Sequence, residues 1–266
     1  MRLLIALALA YMLAACETVS TTQPGAVGVS RQQTMLVSSQ EVTQAAAGEY
    51  NKVLAAARQK GTLDRDAQLV QRVRSIAARL IPNTAAFRPD ATQWAWETHV
   101  IQDPQLNAWT MPGGKMVVYS GLIEKLRLTD DELAAIMGHE IAHSLREHAR
   151  ERISQEMGTQ MAVGVAGALL GLGEVSQELA GAVAKVTFTL PHSRTQETEA
   201  DRIGVELAAR SGYEPHAAVS VWQKMLQAGG SSGPQFLSTH PSPETRLADL
   251  KVYADRVMPL YSQARR

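Results

Sequence analysis

The spacing of apolar residues predicts two amphipathic helices that come before a β-rich segment. The helices are expected at 40–59 and 64–80, where apolar residues recur every three to four positions and Pro82 follows. Between residues 93 and 119 the pattern changes to short runs rich in β-branched and aromatic residues. These runs predict strands at 94–101, 108–111 and 115–119, with a Pro-Gly-Gly turn at 112–114.

Two capping boxes mark the starts of further helices. Thr129 with Glu132 begins a helix that is expected to run to about Met157, and Ser193 with Gln196 begins another. Helices therefore outweigh strands along the chain. The pattern predicts a mostly helical α+β fold with one small sheet and a single domain.

The helix that begins after Thr129 carries the sequence His139-Glu140-Ile141-Ala142-His143. At about 100° per residue the two histidines are offset by roughly 40°, so both imidazoles leave one helix face and can meet one metal ion. Glu140 projects beside them, within reach of a water on that ion. This H-E-x-x-H pattern is typical of peptidases in which zinc polarises the water and the scissile carbonyl while Glu transfers the proton.

A catalytic zinc needs a third protein ligand, and the helix that begins after Ser193 offers one. Glu197 and Asp201 lie four residues apart and share a helix face. We expect Glu197 to bind zinc and Asp201 to hold a ligand histidine by its other N–H. Glu199 is expected to point away into solvent. An ordinary charged amphipathic helix is the alternative reading of this segment.

Four other histidines are expected not to bind the metal. On a continuous helix His148 lies roughly 140° from the ligand face, which places it at the surface or behind the ligands. Arg146 and Ala149 stand where the metzincin pattern has Gly and His, so that class is excluded. Residues without a partner at ligand spacing are expected to be structural: His99, His192 and His216.

Small residues suggest close packing in two places. Ala200 and Gly204 are expected to let the Glu197 helix approach the H-E-x-x-H helix closely. The stretch 161–173 is dominated by Ala, Gly, Val and Leu, and it is too short to span a bilayer. A buried helix, a mobile lid over the cleft and a membrane-dipping segment all remain open for this stretch.

The N-terminal residues are typical of a targeting segment. Arg2 precedes an apolar run, and Leu13-Ala14-Ala15-Cys16 resembles the lipobox of bacterial lipoproteins, in which the cysteine is acylated. We expect a lipoprotein signal peptide at 1–15, a lipidated flexible linker at 16–39 and a metallopeptidase domain at 40–266. An ordinary cleaved signal is the alternative. By resemblance to lipoprotein sorting, Glu17 favours a periplasmic protein anchored in the outer membrane of a Gram-negative cell.

Composition limits which partners and which metal ligands are expected. The 266 residues include 26 basic and 26 acidic ones, so the chain lacks the basic excess that binding to nucleic-acid phosphates requires. Its single cysteine, Cys16, excludes an internal disulfide and a thiolate zinc cluster. Any metal must therefore be held by His, Asp and Glu.

Together the motifs resemble those of zinc metallopeptidase family forty-eight (M48). His139-Glu140-x-x-His143 is followed by Ser193-Arg194-x-x-Glu197-x-x-Ala200-Asp201, and the likeness extends from Asn107-Ala108 to His240-Pro241. The resemblance implies a zincin-type fold of the gluzincin group, with the small sheet packed on the active-site helix and one zinc ion per chain. Within the family the chain is similar to the single-domain periplasmic lipoproteins.

The resemblance also gives a meaning to His240 and Arg246. On its own, the segment 240–246 would be a capped loop before the last helix. In relatives, a histidine at this place reaches the active site, where it can occupy the open zinc position or stabilise the transition state. The arginine six residues later assists. His240 and Arg246 are therefore expected to take part in catalysis.

Substrate is expected to bind as an added strand. Zincins commonly use an edge strand beside the active-site helix, to which an extended peptide adds through backbone hydrogen bonds. The candidate residues for this strand are Asn107, Ala108, Trp109, Thr110 and Met111. This mode favours unfolded polypeptides, and hence quality control of envelope proteins, with outer-membrane assembly or regulatory proteins as further partners.

The alternative function is that of a non-proteolytic or latent zinc lipoprotein that acts as a chaperone or assembly factor. Glu140 favours the enzyme, because a structural zinc site needs ligands but no base. A protease held inactive by His240 would resemble the alternative.

Overall fold

A computed structural model of the chain describes residues 17–162, 177–228, 235–241 and 245–266. Cys16, most of the apolar stretch 161–173 and residues 242–244 lie outside these ranges. The described strands are β1 (Glu17–Val19), β2 (Gln33–Met35), β3 (Glu97–Ile101), β4 (Ala108–Met111) and β5 (Lys115–Tyr119). The described helices are α1 (Ser39–Gln59), α2 (Ala67–Leu80), α3 (Ser120–Lys125), α4 (Asp130–Leu145), α5 (His148–Ala162), α6 (Gln177–Phe188), α7 (Arg194–Arg210), α8 (Ala217–Ala228), α9 (Gln235–Thr239) and α10 (Arg246–Ala264).

The mostly helical α+β prediction is confirmed. Short 3-10 helices at Ile81–Ala86 and Pro89–Gln93 connect α2 to β3. The capping boxes expected at Thr129 and Ser193 are both present, at the starts of α4 and α7. Within the described ranges, no helix has the length and the apolar character needed to cross a bilayer.

A three-stranded sheet lies between two hydrophobic clusters. Its order is β3–β5–β4, with β5 parallel to β3 and antiparallel to β4. Because successive side chains leave opposite faces of a strand, Val118 joins the cluster formed with α2, α4 and α7, whereas Val117 joins the cluster formed with α1 and α6. The Ser144 hydroxyl of α4 donates to the Met111 carbonyl of β4 at 3.3 Å. The predicted packing of the sheet on the H-E-x-x-H helix is therefore confirmed.

The first strand of this sheet is shorter than predicted. It begins at Glu97 rather than at residue 94, because the backbone N–H groups of Trp94 and Trp96 donate locally, to Ala91 at 3.2 Å and to Trp94 at 2.8 Å, rather than to a neighbouring strand. The other two strands begin and end where the sequence predicts. Gly113 and Gly114 have φ values of 80° and 79°, a region that favours glycine, so the predicted turn is confirmed.

Helices α4 and α7 cross at two glycines. A Cβ atom on Gly204 would lie 2.7 Å from the backbone nitrogen of His139, and one on Gly138 would lie 2.9 Å from the Gly204 carbonyl oxygen. Side chains at these positions would therefore push the helices apart. The close approach expected at Gly204 is confirmed. The crossing also brings the H-E-x-x-H segment next to the start of α7.

The helix predicted from Thr129 to about Met157 is wrong in its length, because two helices occupy this segment. Glu147 lies between α4 and α5 with a φ of 49°, in the left-handed region that interrupts a right-handed helix. Its carboxylate binds Arg88 at 2.6 Å and Arg150 at 2.8 Å. The break redirects the chain at His148, so an uninterrupted helical wheel misplaces that residue.

Residues 17–39 differ from the flexible linker that composition predicts. β1 pairs with β2 in an antiparallel hairpin, and Val27 and Val29 are buried. The backbone N–H of Val27 donates to Glu206 of α7 at 2.9 Å. Arg31 forms ion pairs with Glu151 and Glu199. The linker prediction is wrong for these residues, because their polar side chains bind buried groups of the domain rather than water.

Replacing Gly204 by Ala should lower the free energy of unfolding by about 1–3 kcal/mol, since the added methyl group collides with the backbone of α4. Gly48→Ala is the matched control, because Gly48 lies inside α1 with nothing within 4 Å of its Cβ position. The control should gain about 0.5–1 kcal/mol. Urea denaturation measures both values. Equal changes in the two variants would contradict the assigned crossing.

Candidate active site

Four buried side chains from separate parts of the chain converge at one point. His139 and His143 leave the same face of α4, as their spacing predicts, and Glu197 lies in the first turn of α7. His240 directly follows α9. The metal-ligating atoms of these four residues all lie within 4.8 Å of one another. The structure thus brings the three expected ligands together and adds His240 to them.

The separations between these atoms fit one tetrahedral ion. His139 Nε2 lies 3.0 Å from His143 Nε2 and 3.2 Å from His240 Nδ1. Glu197 Oε1 lies 3.4 Å from His143 Nε2 and 3.0 Å from His240 Nδ1. Ligand atoms around a tetrahedral ion with bonds of about 2.0–2.1 Å, as for zinc, are about 3.3 Å apart. Imidazole nitrogen and carboxylate oxygen are also donors that zinc accepts, so the residues present fit this metal.

The protonation states of the ligands also suit a metal ion. Burial lowers the pKa of His143 well below its ordinary value, so its imidazole is neutral. Burial would raise the pKa of Glu197, but the neighbouring His240 and the close contact with His143 hold that pKa well below its ordinary value. Metal binding requires a neutral imidazole and an ionised carboxylate, which are the states that this site favours.

Glu140 lies beside the cluster, next to His139 in the chain. Its Oε1 is 3.3 Å from His240 Nε2, and among the described residues this oxygen has no hydrogen-bond partner. Burial raises the pKa of the Glu140 carboxyl above its ordinary value. A carboxylate whose pKa is raised toward neutrality is a more effective proton acceptor at physiological pH than an ordinary one.

Asp201 and Arg246 lie behind the ligands. Asp201 Oδ1 is 2.9 Å from His139 Nδ1, the nitrogen on the far side of the ring from the cluster. Arg246 donates to the same Asp201 oxygen at 2.6 Å and lies 3.0 Å from Glu197 Oε2. Its guanidinium also stacks on the Trp222 ring, 3.3 Å from the ring centroid. Arg246 therefore bridges the two carboxylates.

His148 and Glu199 are placed differently from the sequence expectation. His148 is fully buried, with its Nδ1 2.8 Å from His143 Nδ1 and its Nε2 3.1 Å from Glu199 Oε2. The surface alternative for His148 is wrong, and so is the solvated position of Glu199, which is 6% exposed. Burial would raise the pKa of Glu199, but its hydrogen bonds with His148 and Arg31 contribute to lowering it to about 2. The position of His148 follows from the helix break at Glu147, and residue spacing does not reveal that break.

His192 is a further histidine of the site that its spacing did not indicate. Its ring centroid lies 4.1 Å from that of His143 and 5.0 Å from that of His240. The His240 ring also stacks on Phe236, with centroids 4.1 Å apart. These contacts hold His240 beside the three expected ligands.

The cleft at the cluster is narrow. A cavity with about 30 Å³ of space for water lies there, lined in part by Thr110 of β4, by Val186 of α6 and by His192, which is enough to hold a water. Trp109 of β4 packs edge-on against Phe188 of α6, with ring centroids 5.1 Å apart. The described residues therefore leave room for a water beside the cluster.

The candidate substrate strand borders this cleft. Ala108–Met111 forms β4, which lies at one edge of the three-stranded sheet. Asn107 directly precedes the strand. Its Oδ1 and the Thr110 hydroxyl are buried without a hydrogen-bond partner in the described part of the chain. The structure thus places an edge strand with unsatisfied polar groups beside Glu140.

Sequence comparison decides the family. The model of peptidase family M48 matches residues 67–254, which is more than half of the chain. The chain belongs to peptidase family M48. This result confirms the resemblance of the motifs. The matched span contains His139, Glu140, His143, Glu197 and His240, but not residues 17–39.

Curated M48 relatives come from mitochondria and from bacteria. Mitochondrial metalloendopeptidase OMA1 of Schizosaccharomyces pombe is 38% identical over 158 residues, which cover 59% of this chain and 46% of the relative. The beta-barrel assembly-enhancing protease of Escherichia coli K12 is 31% identical over 214 residues, which cover 75% of this chain and 42% of the relative. The chain therefore spans about half or less of the length of these relatives.

Zinc should stabilise the folded chain, because only the folded state assembles the ligands. Zinc added to metal-free protein at about 100 times its Kd should raise the free energy of unfolding by about 2.7 kcal/mol, visible as a higher Tm in calorimetry. Glu197→Ala should lose most of this increase. Glu124→Ala, a change of an exposed carboxylate on α3, should retain it. The ligand assignment fails if both variants respond to zinc as the unmodified chain does.

Proposed function

We propose that this chain is a zinc-dependent endopeptidase. The observation that carries the proposal is the buried cluster of His139, His143 and Glu197 with the Glu140 carboxylate beside it. A structural zinc site needs ligands but no adjacent base, whereas a peptidase needs both. The relatives, which are a metalloendopeptidase and a protease by name, support the same activity.

The proposed mechanism assigns a role to each residue of the site. Zinc, when bound, supplies Lewis acidity that polarises the scissile carbonyl and lowers the pKa of the attacking water. His139 and His143 would hold it through Nε2, and Glu197 would hold it through its carboxylate. Asp201 accepts the Nδ1–H of His139 and so fixes the tautomer of that ligand. Glu140 takes a proton from the water and returns it to the leaving amine nitrogen.

His240 has two proposed roles at the same site. Its Nδ1 lies 3.0 Å from Glu197 and its Nε2 lies 3.3 Å from Glu140, so it stands where a fourth ligand or a substrate oxygen would be. When substrate displaces the ring, an N–H of His240 can donate to the oxyanion that develops on the scissile carbonyl. Arg246 keeps Glu197 and Asp201 in position during this exchange.

The proposed substrate is an unfolded polypeptide in an envelope quality-control process. Such a chain would pair with β4, and backbone pairing selects extended conformation more than sequence. A larger cavity of about 580 Å³ shares Pro112, Ser144 and Glu147 with the cleft and offers space for more of the substrate. The name of the Escherichia coli relative, which refers to beta-barrel assembly, supports envelope proteins as substrates or partners.

The proposed location is the periplasm, with residues 1–15 removed and a lipid on Cys16 in the outer membrane. The lipobox Leu13-Ala14-Ala15-Cys16 and the following Glu17 support this location. The proposed catalytic domain extends over residues 40–266, and the packed segment 17–39 belongs to the same folded unit.

The second candidate function is that of a latent zinc lipoprotein that acts as a chaperone or assembly factor. The narrow cleft and the position of His240 at the fourth corner of the cluster favour this candidate. A latent protein would bind zinc normally but would not cleave until His240 is displaced.

Glu140→Gln should lower the rate of casein cleavage by the purified full chain at least about 100-fold, because the proton acceptor is lost while the ligands remain. Glu124→Gln makes the same change at an exposed position and should keep the rate. Release of acid-soluble peptides measures the activity, and the zinc content of each protein is determined alongside. If neither the unmodified chain nor His240→Ala cleaves although both contain zinc, the second candidate replaces the first.

Cys16→Ser should prevent attachment of lipid. In a Gram-negative host, the unmodified protein should incorporate labelled fatty acid and should fractionate with the outer membrane, whereas the variant should do neither. Ser20→Ala leaves the lipobox intact and serves as the control. Labelling of Cys16→Ser at the level of the unmodified protein would exclude this cysteine as the lipidation site.

A further inference from the structure

A buried chain of hydrogen-bonding groups lies behind His143. His148 Nδ1 is 2.8 Å from His143 Nδ1, and His148 Nε2 is 3.1 Å from Glu199 Oε2. Arg31 then donates to both oxygens of Glu199, through Nε at 2.7 Å and through Nη2 at 3.0 Å. We propose that His148, Glu199 and Arg31 are positioning residues that fix the tautomer and orientation of His143 for metal binding. The inference rests on the proposed function, in which His143 binds zinc.

The direction of each hydrogen bond follows from the carboxylate at the end of the chain. An ionised Glu199 can only accept, so Nε2 of His148 carries the proton and donates to it. In a neutral imidazole the other nitrogen is an acceptor, so Nδ1 of His148 accepts the Nδ1–H of His143. The lone pair of His143 is then on Nε2, the atom that faces His139 and Glu197. The chain of groups therefore selects the tautomer that can bind a metal.

Behind each of the two ligand histidines, hydrogen bonds lead to a carboxylate, directly for His139 and through one further residue for His143. His139 donates directly to Asp201, whose carboxylate is held by Arg246 at 2.6 Å. Among the described residues, no carboxylate contacts the Nδ1 of His143, and His148 spans the gap to Glu199. Both series of hydrogen bonds end on a carboxylate held by arginine, and Glu199 is held by Arg146 at 3.1 Å as well as by Arg31. A carboxylate behind a ligand histidine also makes that histidine a stronger donor to the metal.

Arg31 connects this support to the N-terminal segment. Besides Glu199, it binds Glu151 of α5 at 2.5 Å, and its carbonyl oxygen accepts a hydrogen bond from Arg146 at 2.9 Å. Gln33 of β2 donates to Glu151 and to the Arg146 carbonyl, at 2.9 Å and 2.8 Å. A segment outside the family match thus supplies a residue that acts on a metal ligand.

The test separates hydrogen bonding from packing at His148. His148→Asn retains an acceptor oxygen near the position of Nδ1, whereas His148→Leu fills a similar volume without an acceptor. Competition with a chromophoric chelator gives the zinc Kd of the full chain, and absorption spectra of the cobalt(II)-loaded chain report the coordination geometry. We expect the zinc Kd to rise about tenfold or more in His148→Leu and to change far less in His148→Asn.

Arg31→Leu tests the residue at the far end of this series of hydrogen bonds. Because the Arg31 side chain is 34% exposed, this variant tests the proposal even if the His148 variants do not fold. It should raise the zinc Kd about tenfold. Arg65→Leu, at an exposed arginine, should leave the Kd unchanged. Val70→Ala on α2, which supplies none of these side chains, shows how lost stability alone affects the Kd.

The inference is overturned if His148→Leu and His148→Asn bind zinc equally well, or if Arg31→Leu binds it like the unmodified chain. Because the readout is zinc affinity, these results do not depend on peptidase activity. If the unmodified chain binds no zinc, the proposed function fails instead, and the two failures are distinguishable.

Discussion

The backbone-to-backbone crossing of α4 and α7 is the constraint on which the candidate site depends. There is no space for a Cβ atom at Gly138 or Gly204, so the helices are held at one separation. His139 follows the first glycine directly, and Asp201 and Glu197 lie about one and two turns before the second. The position of the ligands is therefore set by rigid backbone rather than by flexible side chains, as a site that needs sub-ångström placement requires.

The second organising feature is the pairing of buried charges. Glu197, Glu199 and Asp201 lie within five residues of α7 and are all buried, which is costly unless each carboxylate has a partner. Arg246 from the C-terminal helix holds two of them, and Arg31 from the N-terminal segment holds the third. Ion pairs with the carboxylates of α7 therefore connect the N-terminal segment to the C-terminal helix.

Sequence patterns predicted those features that depend on interactions between residues close together in the chain. The histidine spacing on α4, the capping box at Ser193 and the strands 108–111 and 115–119 depend on neighbours a few residues away. The break at Glu147 does not, because it depends on Arg88 from a distant part of the chain. The burial of residues 17–39 likewise depends on long-range ion pairs, and composition cannot show them. His148 was misplaced because its position follows from that break.

If Cys16 carries a lipid, the packing of residues 17–39 would also limit the reach of the domain. A free linker of that length could extend to about 80 Å and let the domain search a wide volume. In the structure β1 begins at Glu17, the residue directly after the proposed lipid attachment site. With a lipid on Cys16, the domain would have almost no tether and would stay at the bilayer surface. Such an enzyme would meet only those polypeptides that come to the membrane surface. Its location would then contribute to its selection of substrates.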